Sequence, residues 1–398
     1  MSGTQKHIIQ KHFDKAVALV SQYDGKEPLQ HYLKKYFSAN KQHGSKDRKA
    51  ITHFCYTFFR IGKNLPDKSV EEKLRAALFV CEDSIELPEE IFNQEWLQNH
   101  SPEPDERIDF IQKIYPGFSL DNIFPYEKEL SGSIDATAFQ RSFLYQPKVF
   151  LRIRNGMGDI VSDKLQKADI AFETIGEDCI SVPQNVNIAS VLQLNKEAVV
   201  QDLSSQKIKS FLQSIHYPNQ QNHLIKVWDC CAASGGKSIL ASDVFDKTDL
   251  TVSDIRPQIL HNLKLRFREA GIDKYKNFTA DLSRPFLLKS TFDLVVCDAP
   301  CSGSGTWART PEALAVFDFQ QIEHYHNLQR KIIANTLPHV RAGGYFLYIT
   351  CSVFEKENEA QAQYIANTFA ATCIRSEALK GYAHRADSMF AALFRIEK

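Results

Sequence analysis

The sequence lacks net charge: 48 Lys and Arg balance 48 Asp and Glu over 398 residues. Global electrostatics therefore offers no pull toward polyanions, and any nucleic-acid contact must come from a local patch, because counterion release follows local phosphate contacts. It also lacks any apolar run of the roughly 18 residues that span a bilayer, so no membrane partner is expected. Met1 to Lys15 is polar and charged, without the apolar core of a signal peptide, which points to a cytoplasmic location. The nine cysteines lack framework spacing, as expected of free thiols in a reducing compartment. No Cys-x₂₋₄-Cys pair has a matching partner pair, so no metal is expected. Internal repeats and low-complexity segments are absent as well.

What is present is ordinary for a globular protein with cores: 43% hydrophobic and 24% charged residues. The length suggests two or three domains. Two local basic stretches could meet phosphates, Lys34, Lys35, Lys41, Lys46, Arg48 and Lys49, and then Lys264, Arg266, Arg268, Lys274 and Lys276. Each also fits a solvated helix face.

Residues 1–140 read as helical, with apolar residues at helical spacing in Val17 to Tyr23 and Ile51 to Ile61. Gly44 to Asp47 punctuates this region, with Ser45 the expected N-cap of the next helix. Glu82 to Glu106, with Pro88, Pro102 and Pro104, reads as loops and short helices. Residues 141–200 read as a small α+β unit. It has a strand at Val149 to Arg154, an Asn155-Gly156 turn, a helix at Asp159 to Lys167, and short strands at Ala171 to Thr174 and Cys179 to Val182. From 201 to 398 strands alternate with helices. Strands are expected at Leu224 to Trp228, Leu250 to Ser253, Asn277 to Ala280, Leu294 to Cys297, Tyr345 to Ile349 and Phe390 to Ile396. Helices are expected at Pro257 to Ala270 and Gln320 to Val340. The fold class is α/β, with a mostly parallel, Rossmann-like sheet covered on both faces.

Five places carry chemistry. Asp229-Cys230-Cys231-Ala232-Ala233-Ser234-Gly235-Gly236-Lys237-Ser238 follows the first of these strands. Small residues at a strand-to-helix turn let a ligand approach the backbone, and the helix N-terminus offers free N–H groups. The end resembles a P-loop, but the required first glycine is replaced by Cys231. A purely structural turn is the bland alternative. Asp254 and Asp281 end the next two strands, where carboxylates can meet ribose hydroxyls and an adenine amino group. Asp298-Ala299-Pro300-Cys301-Ser302-Gly303 and Thr350-Cys351-Ser352 each place a cysteine at a strand end. Free cysteines are more often small buried hydrophobes, the reading given to Cys55, Cys81, Cys179, Cys297 and Cys373. Sites in strand-end register on a parallel sheet point to a nucleoside cofactor, and the cysteine pair stands beside it.

With these motifs the chain resembles the RsmB/Nop/Sun family of RNA 5-methylcytosine methyltransferases, strongly from about 200 to 398. Val200 to Gln206 resembles the opening of the family's catalytic domain, and Ala386 to Leu393 its final strand. More weakly, Val149 to Asn155 resembles the RNA-binding insert, and Tyr36 to Arg60 the NusB-like helical domain of the bacterial RsmB branch. Ser234 departs from the family's usual proline.

The resemblance implies S-adenosyl-L-methionine as cofactor, held by Cys231 to Lys237, Asp254, Asp281 and Asp298. It implies attack on cytosine carbon 6 by Cys351 and product release aided by Cys301. Asp298 would contact N3 while carrying a proton, and Lys237 would either orient the Asp298 loop or face the thiolate. It implies RNA as partner, rRNA (16S) ahead of tRNA, with a monomer and no obligate protein partner expected. Two alternatives stay open. An amino-group methyltransferase would carry an Asp/Asn-Pro-Pro-Tyr-type motif where Asp298 to Cys301 stands, and a non-catalytic RNA-binding factor could keep the site as a relic.

Overall fold

The computed structural model describes residues 3–81, 87–184, 186–217 and 224–397. The chain divides into two compact units. One takes the described residues up to Lys128, with Asp135–Gln146 and Trp307–Asp318; the other takes the rest.

The first unit is helical, as its 3.6-residue periodicity requires. Its main helices are Gly3–Gln22, Leu29–Ala39, Ser45–Arg60, Val70–Cys81 and Pro104–Ile114. Their apolar faces meet in an aromatic core that includes Phe13, Phe59, Phe79, Trp96 and Phe110. The N-cap of the third helix is Gly44 and not Ser45, which is the first helical residue. The Asp47 carboxylate accepts the Gly44 N–H at 2.8 Å, the half of a capping box that the third residue of the helix supplies. Residues 82–86, the start of the Pro- and acid-rich stretch, lie outside the described residues. The rest of that stretch forms Gln94–Gln98 and the start of Pro104–Ile114. Trp307–Asp318, which the sequence reading placed in the catalytic region, packs in this helical unit. Buried Arg60 donates to the carbonyls of Phe143, Tyr145 and Ala308 at 2.9, 2.9 and 3.0 Å. One guanidinium thus ties three distant chain segments.

The second unit holds two sheets. The small one has strands β1 (Val149–Ile153), β2 (Glu173–Thr174), β3 (Cys179–Val182) and β4 (Ala198–Val200). It is ordered β2-β3-β1-β4 with antiparallel pairing throughout. Arg152 and Arg154 on and just after β1 are not free for RNA. Both hold the Asp243 carboxylate, at 2.6 and 2.5 Å, with 2% and 17% of their side chains exposed.

The large sheet has β5 (Ile225–Asp229), β6 (Thr248–Asp254), β7 (Tyr275–Thr279), β8 (Phe292–Asp298), β9 (Val340–Thr350), β10 (Ala371–Leu379) and β11 (Met389–Ile396). Its order is β10-β11-β9-β8-β5-β6-β7. Pairing is parallel among β5 to β9 and antiparallel at β9–β11 and β10–β11. This is the Rossmann-like arrangement expected. Two apolar clusters cover its faces, one around Val227, Val252 and Leu347, the other around Trp228, Val295 and Phe346. The expected strands are all present, most of them one to several residues longer. β10 was missed because it is an edge strand with mostly exposed side chains, so it carries no apolar alternation. The helix expected to reach Val340 stops at Thr336 and tightens into a single 3₁₀ turn, Leu337–His339, because Pro338 has no N–H to donate.

Candidate active site

The carboxyl ends of β5, β6 and β8 and the residues just past β7 and β9 open on one cavity of about 520 Å³ in the second unit. That lies within the roughly 300–1,000 Å³ of small-ligand pockets. Of the residues expected in the site, Cys231, Ala233, Asp254, Asp281, Asp298, Cys301 and Cys351 line it. Ala232, Ser234, Gly235, Gly236 and Lys237 stand behind this lining, in the same turn or at the start of the following helix.

The turn after β5 is built by short-range constraint. Ala233 and Gly235 both have left-handed backbone, with φ of 46° and 84°. A Cβ at Gly235 would come within 2.5 Å of the Phe267 ring, so glycine is required there. Ala233 pays about 1–2 kcal/mol for its conformation. Its N–H donates to the Asp254 carboxylate at 3.0 Å, which holds it in place. Gly236 to Val244 then runs as a helix whose first N–H groups face the turn.

Asp254 is almost fully buried. Besides Ala233 it accepts from the Arg256 backbone and guanidinium at 3.0 Å. Asp281 accepts from the Ser283 N–H and hydroxyl at 3.0 and 2.6 Å, which holds its carboxyl below the usual carboxylate range. Between the two acids Ile255, more than half exposed, presents an apolar side chain to the cavity. An apolar face beside two acceptors suits a purine nucleoside, and sequence reasoning missed it because a lone isoleucine has no motif.

Cys301 and Cys351 line the same cavity. The Cys301 and Cys351 sulfurs are 3.1 Å apart. The hydrogen bond to Cys351 and burial both push the Cys301 thiol up. Gly305 fixes the Cys301 loop: its N–H donates to the Cys351 carbonyl at 2.9 Å, and its carbonyl accepts from Ser388 at 2.8 Å. A Cβ there would meet the Ser388 carbonyl at 2.0 Å.

Asp298 accepts from the Lys237 ammonium at 3.1 Å, and Lys237 also donates to Ser205 at 2.8 Å. Of the two roles open for Lys237, orienting Asp298 fits this geometry. Glu357 is a residue the sequence reading did not find. It is buried and accepts from the Ser302 N–H at 2.9 Å, the Ser352 hydroxyl at 2.8 Å and the Gln329 amide at 3.0 Å. One carboxylate thus joins the residue after each cysteine. The signal was faint: Glu357 lies six residues past Cys351 among other charged residues.

Cys55, Cys179 and Cys297 are buried, as small hydrophobes should be. Cys81 is only partly buried, and Cys373 is exposed because it lies on edge strand β10. Among the described residues no group of His, Cys, Asp and Glu could hold a metal.

Residues 213–388 match the family described as 16S rRNA methyltransferase RsmB/F. The match covers under half of the chain, and this region is similar to that family. The RsmB/F-type region is 29% identical over 175 residues to ribosomal RNA small subunit methyltransferase B of Enterobacter sp. (strain 638), covering 44% of this chain and 39% of that protein. It is 28% identical over 158 residues to the mouse tRNA (cytosine(72)-C(5))-methyltransferase NSUN6, covering 36% and 33%. The match spans about two fifths of these relatives' lengths or less. The whole chain has the fold of the crystal structure of PH0851, with a TM-score of 0.69, 18% identity and 100% of both chains covered. Among the described residues no helix is long and apolar enough to cross a membrane.

Proposed function

We propose that this protein methylates carbon 5 of a cytosine in RNA through a covalent adduct on Cys351. The observation that carries the reading is the 3.1 Å contact of two thiols in the cavity that also holds Asp254 and Asp281. A nucleophile and a nucleoside-type acid pair share one space there.

The donor set fits S-adenosyl-L-methionine, which when bound supplies an electrophilic methyl group. Asp254 would take the ribose hydroxyls, Asp281 the adenine amino group, Ile255 the base face, and the turn from Cys231 to Lys237 the remaining polar end. Cytosine carbon 5 is too weak a nucleophile for methyl transfer until a thiolate adds to carbon 6. The Cys351 sulfur forms that bond, and the carbon 5–carbon 6 π pair moves toward carbon 5 and the N3 side of the ring. Asp298, oriented by Lys237, would donate a proton to N3 as negative charge builds there, and so stabilise the adduct. After methylation the carbon 5 proton leaves to a base, the double bond re-forms and the Cys351 thiolate departs, with Cys301 assisting this release. A target cytosine must be unpaired or extruded, at a few kcal/mol in a duplex. The other unit and the small sheet would supply the shape and phosphate contacts. The exposed lysines between Lys34 and Lys49 are candidates for these. The substrate proposed is 16S rRNA in the cytoplasm, bound by a monomer.

The test is incubation with deproteinised small-subunit rRNA and S-adenosyl-L-methionine, with nucleoside mass spectrometry of the product. 5-Methylcytosine is expected; a methyl on the exocyclic nitrogen would place the protein in the amino-group class. Cys351→Ala should abolish product and adduct, by about 10⁴-fold or more. Cys301→Ala should accumulate an RNA–protein adduct on denaturing gels. An adduct that persists in Cys351→Ala overturns the assignment.

A further inference from the structure

Ser234 lies between two left-handed residues, Ala233 and Gly235, so the turn that faces the cofactor is not held by its own backbone preference. Ala233 is tied to Asp254. Ser234 is tied elsewhere. One nitrogen of the Arg266 guanidinium, Nη1, donates to the Ser234 carbonyl at 3.1 Å and to its hydroxyl at 2.7 Å.

Arg266 lies on the helix Pro257–Glu269, and its other contact leads away from the cavity. Nε donates to the Asn195 side-chain oxygen at 3.1 Å. Asn195 belongs to the loop before β4. It is buried, with a left-handed φ of 64°. Its amide nitrogen donates to Glu269 at 2.7 Å, and its backbone carbonyl accepts from Arg154 at 2.9 Å. Every polar atom of this asparagine side chain is therefore committed, and it presents a fixed acceptor to Arg266.

We propose that Arg266 is a positioning residue for the cofactor turn, acting through Ser234, and that Asn195 of the small-sheet domain sets the position of Arg266. The chain Asn195–Arg266–Ser234 makes cofactor affinity depend on the docking of that domain. A member of the second basic stretch is thereby a bridge within the fold and not a phosphate contact. Lys264 and Arg268 on the same helix stay exposed.

The proposal rests on the cofactor reading above. It is tested by equilibrium binding of S-adenosylhomocysteine, measured by calorimetry on the full chain without RNA. Arg266→Ala should weaken binding about tenfold, the loss expected for one charge-assisted hydrogen bond. Ser234→Ala and Asn195→Gly should each weaken it about threefold. The glycine keeps the left-handed backbone and removes only the amide. The double variant of Ser234 and Arg266 should bind no worse than Arg266→Ala alone, because both remove the same tether. In turnover the KM for S-adenosyl-L-methionine should rise while kcat at saturation holds.

An Arg266→Ala protein that melts earlier yet binds within twofold of the parent has lost only structure, and that overturns the proposal. If Arg266→Ala does not fold, Ser234→Ala and Arg266→Lys carry the test, and unchanged binding in both overturns it. Absence of binding by the parent chain would instead sink the cofactor reading.

Discussion

Around the two thiols, Glu357 is buried and receives three hydrogen bonds, from Ser302, Ser352 and Gln329. Ser304 and Ser352 add a contact at 3.1 Å, and Thr350 donates to Asn358 at 2.6 Å. Around Asp254 the arrangement differs. Its carboxylate is covered by Arg256, whose side chain is 60% exposed, and the turn beside it relies on strained backbone and two tethers. The thiol half is a buried polar network, which suits the bond-forming pair proposed there, because small misplacements cost rate. The proposed cofactor half has its acid covered by an exposed arginine, which suits a site that must load and release its ligand.

The comparison can be broken most severely at Glu357. Glu357→Gln keeps the volume but puts an amide N–H₂ where N–H and O–H groups already donate. We expect kcat to fall about hundredfold with S-adenosylhomocysteine affinity unchanged, checked by single-turnover kinetics beside calorimetry. Unchanged kcat would falsify the claim that this network sets the thiols.

Asp254→Asn comes next. It removes the charge from the acceptor proposed for the ribose, and S-adenosylhomocysteine binding should weaken about tenfold. Little change in affinity would move the nucleoside away from β6.

Asp229 gives a subtler test under the same turn. It is fully buried, accepts from Ser238 at 2.6 Å, and burial raises its carboxyl from 3.8 to about 7. The folded state therefore holds this proton more tightly than the unfolded chain does. The stability from this group is complete below about 4 and is lost as pH rises toward about 7, at about 1.4 kcal/mol per pH unit at most. Urea melts from pH 5 to 8 should show the parent losing stability relative to Asp229→Asn up to about pH 7 and running parallel above it. Parallel curves throughout would mean that Asp229 is already ionised in the fold at pH 5 and above.

The smallest effect is expected at Arg256. Arg256→Ala should cost under about 1 kcal/mol of stability, since exposed pairs contribute little, and should alter S-adenosylhomocysteine affinity less than about threefold. A larger loss would make Arg256 part of the ligand site rather than a removable cover.

The strands that carry the site were legible because a parallel sheet covered on both faces makes each one a short apolar run ended by a small or acidic residue. Leu294 to Cys297 followed by Asp298 is the plainest case. Edge strand β10 was not legible, because neither face is deeply buried. Glu357 was not legible either: a carboxylate that acts by folding back on two loops has the same local sequence as a solvated acid. Arg266 was misread for a related reason. Its neighbours in the basic stretch are exposed, and only its contacts to Ser234 and Asn195 separate it from them.

The sequence by itself determined which chemical groups the protein owns: two thiols, three strand-end acids and a small-residue turn, each at a fixed offset from an apolar strand. These are local facts, since strand ends and turns are set by neighbouring residues. The tertiary structure alone decided the distances. It set Cys301 beside Cys351 at 3.1 Å across 50 residues, turned Lys237 onto Asp298, and spent Arg152, Arg154 and Arg266 inside the fold. Those choices depend on which strands become neighbours in the sheet, and strand order is fixed by long-range packing that no local pattern encodes.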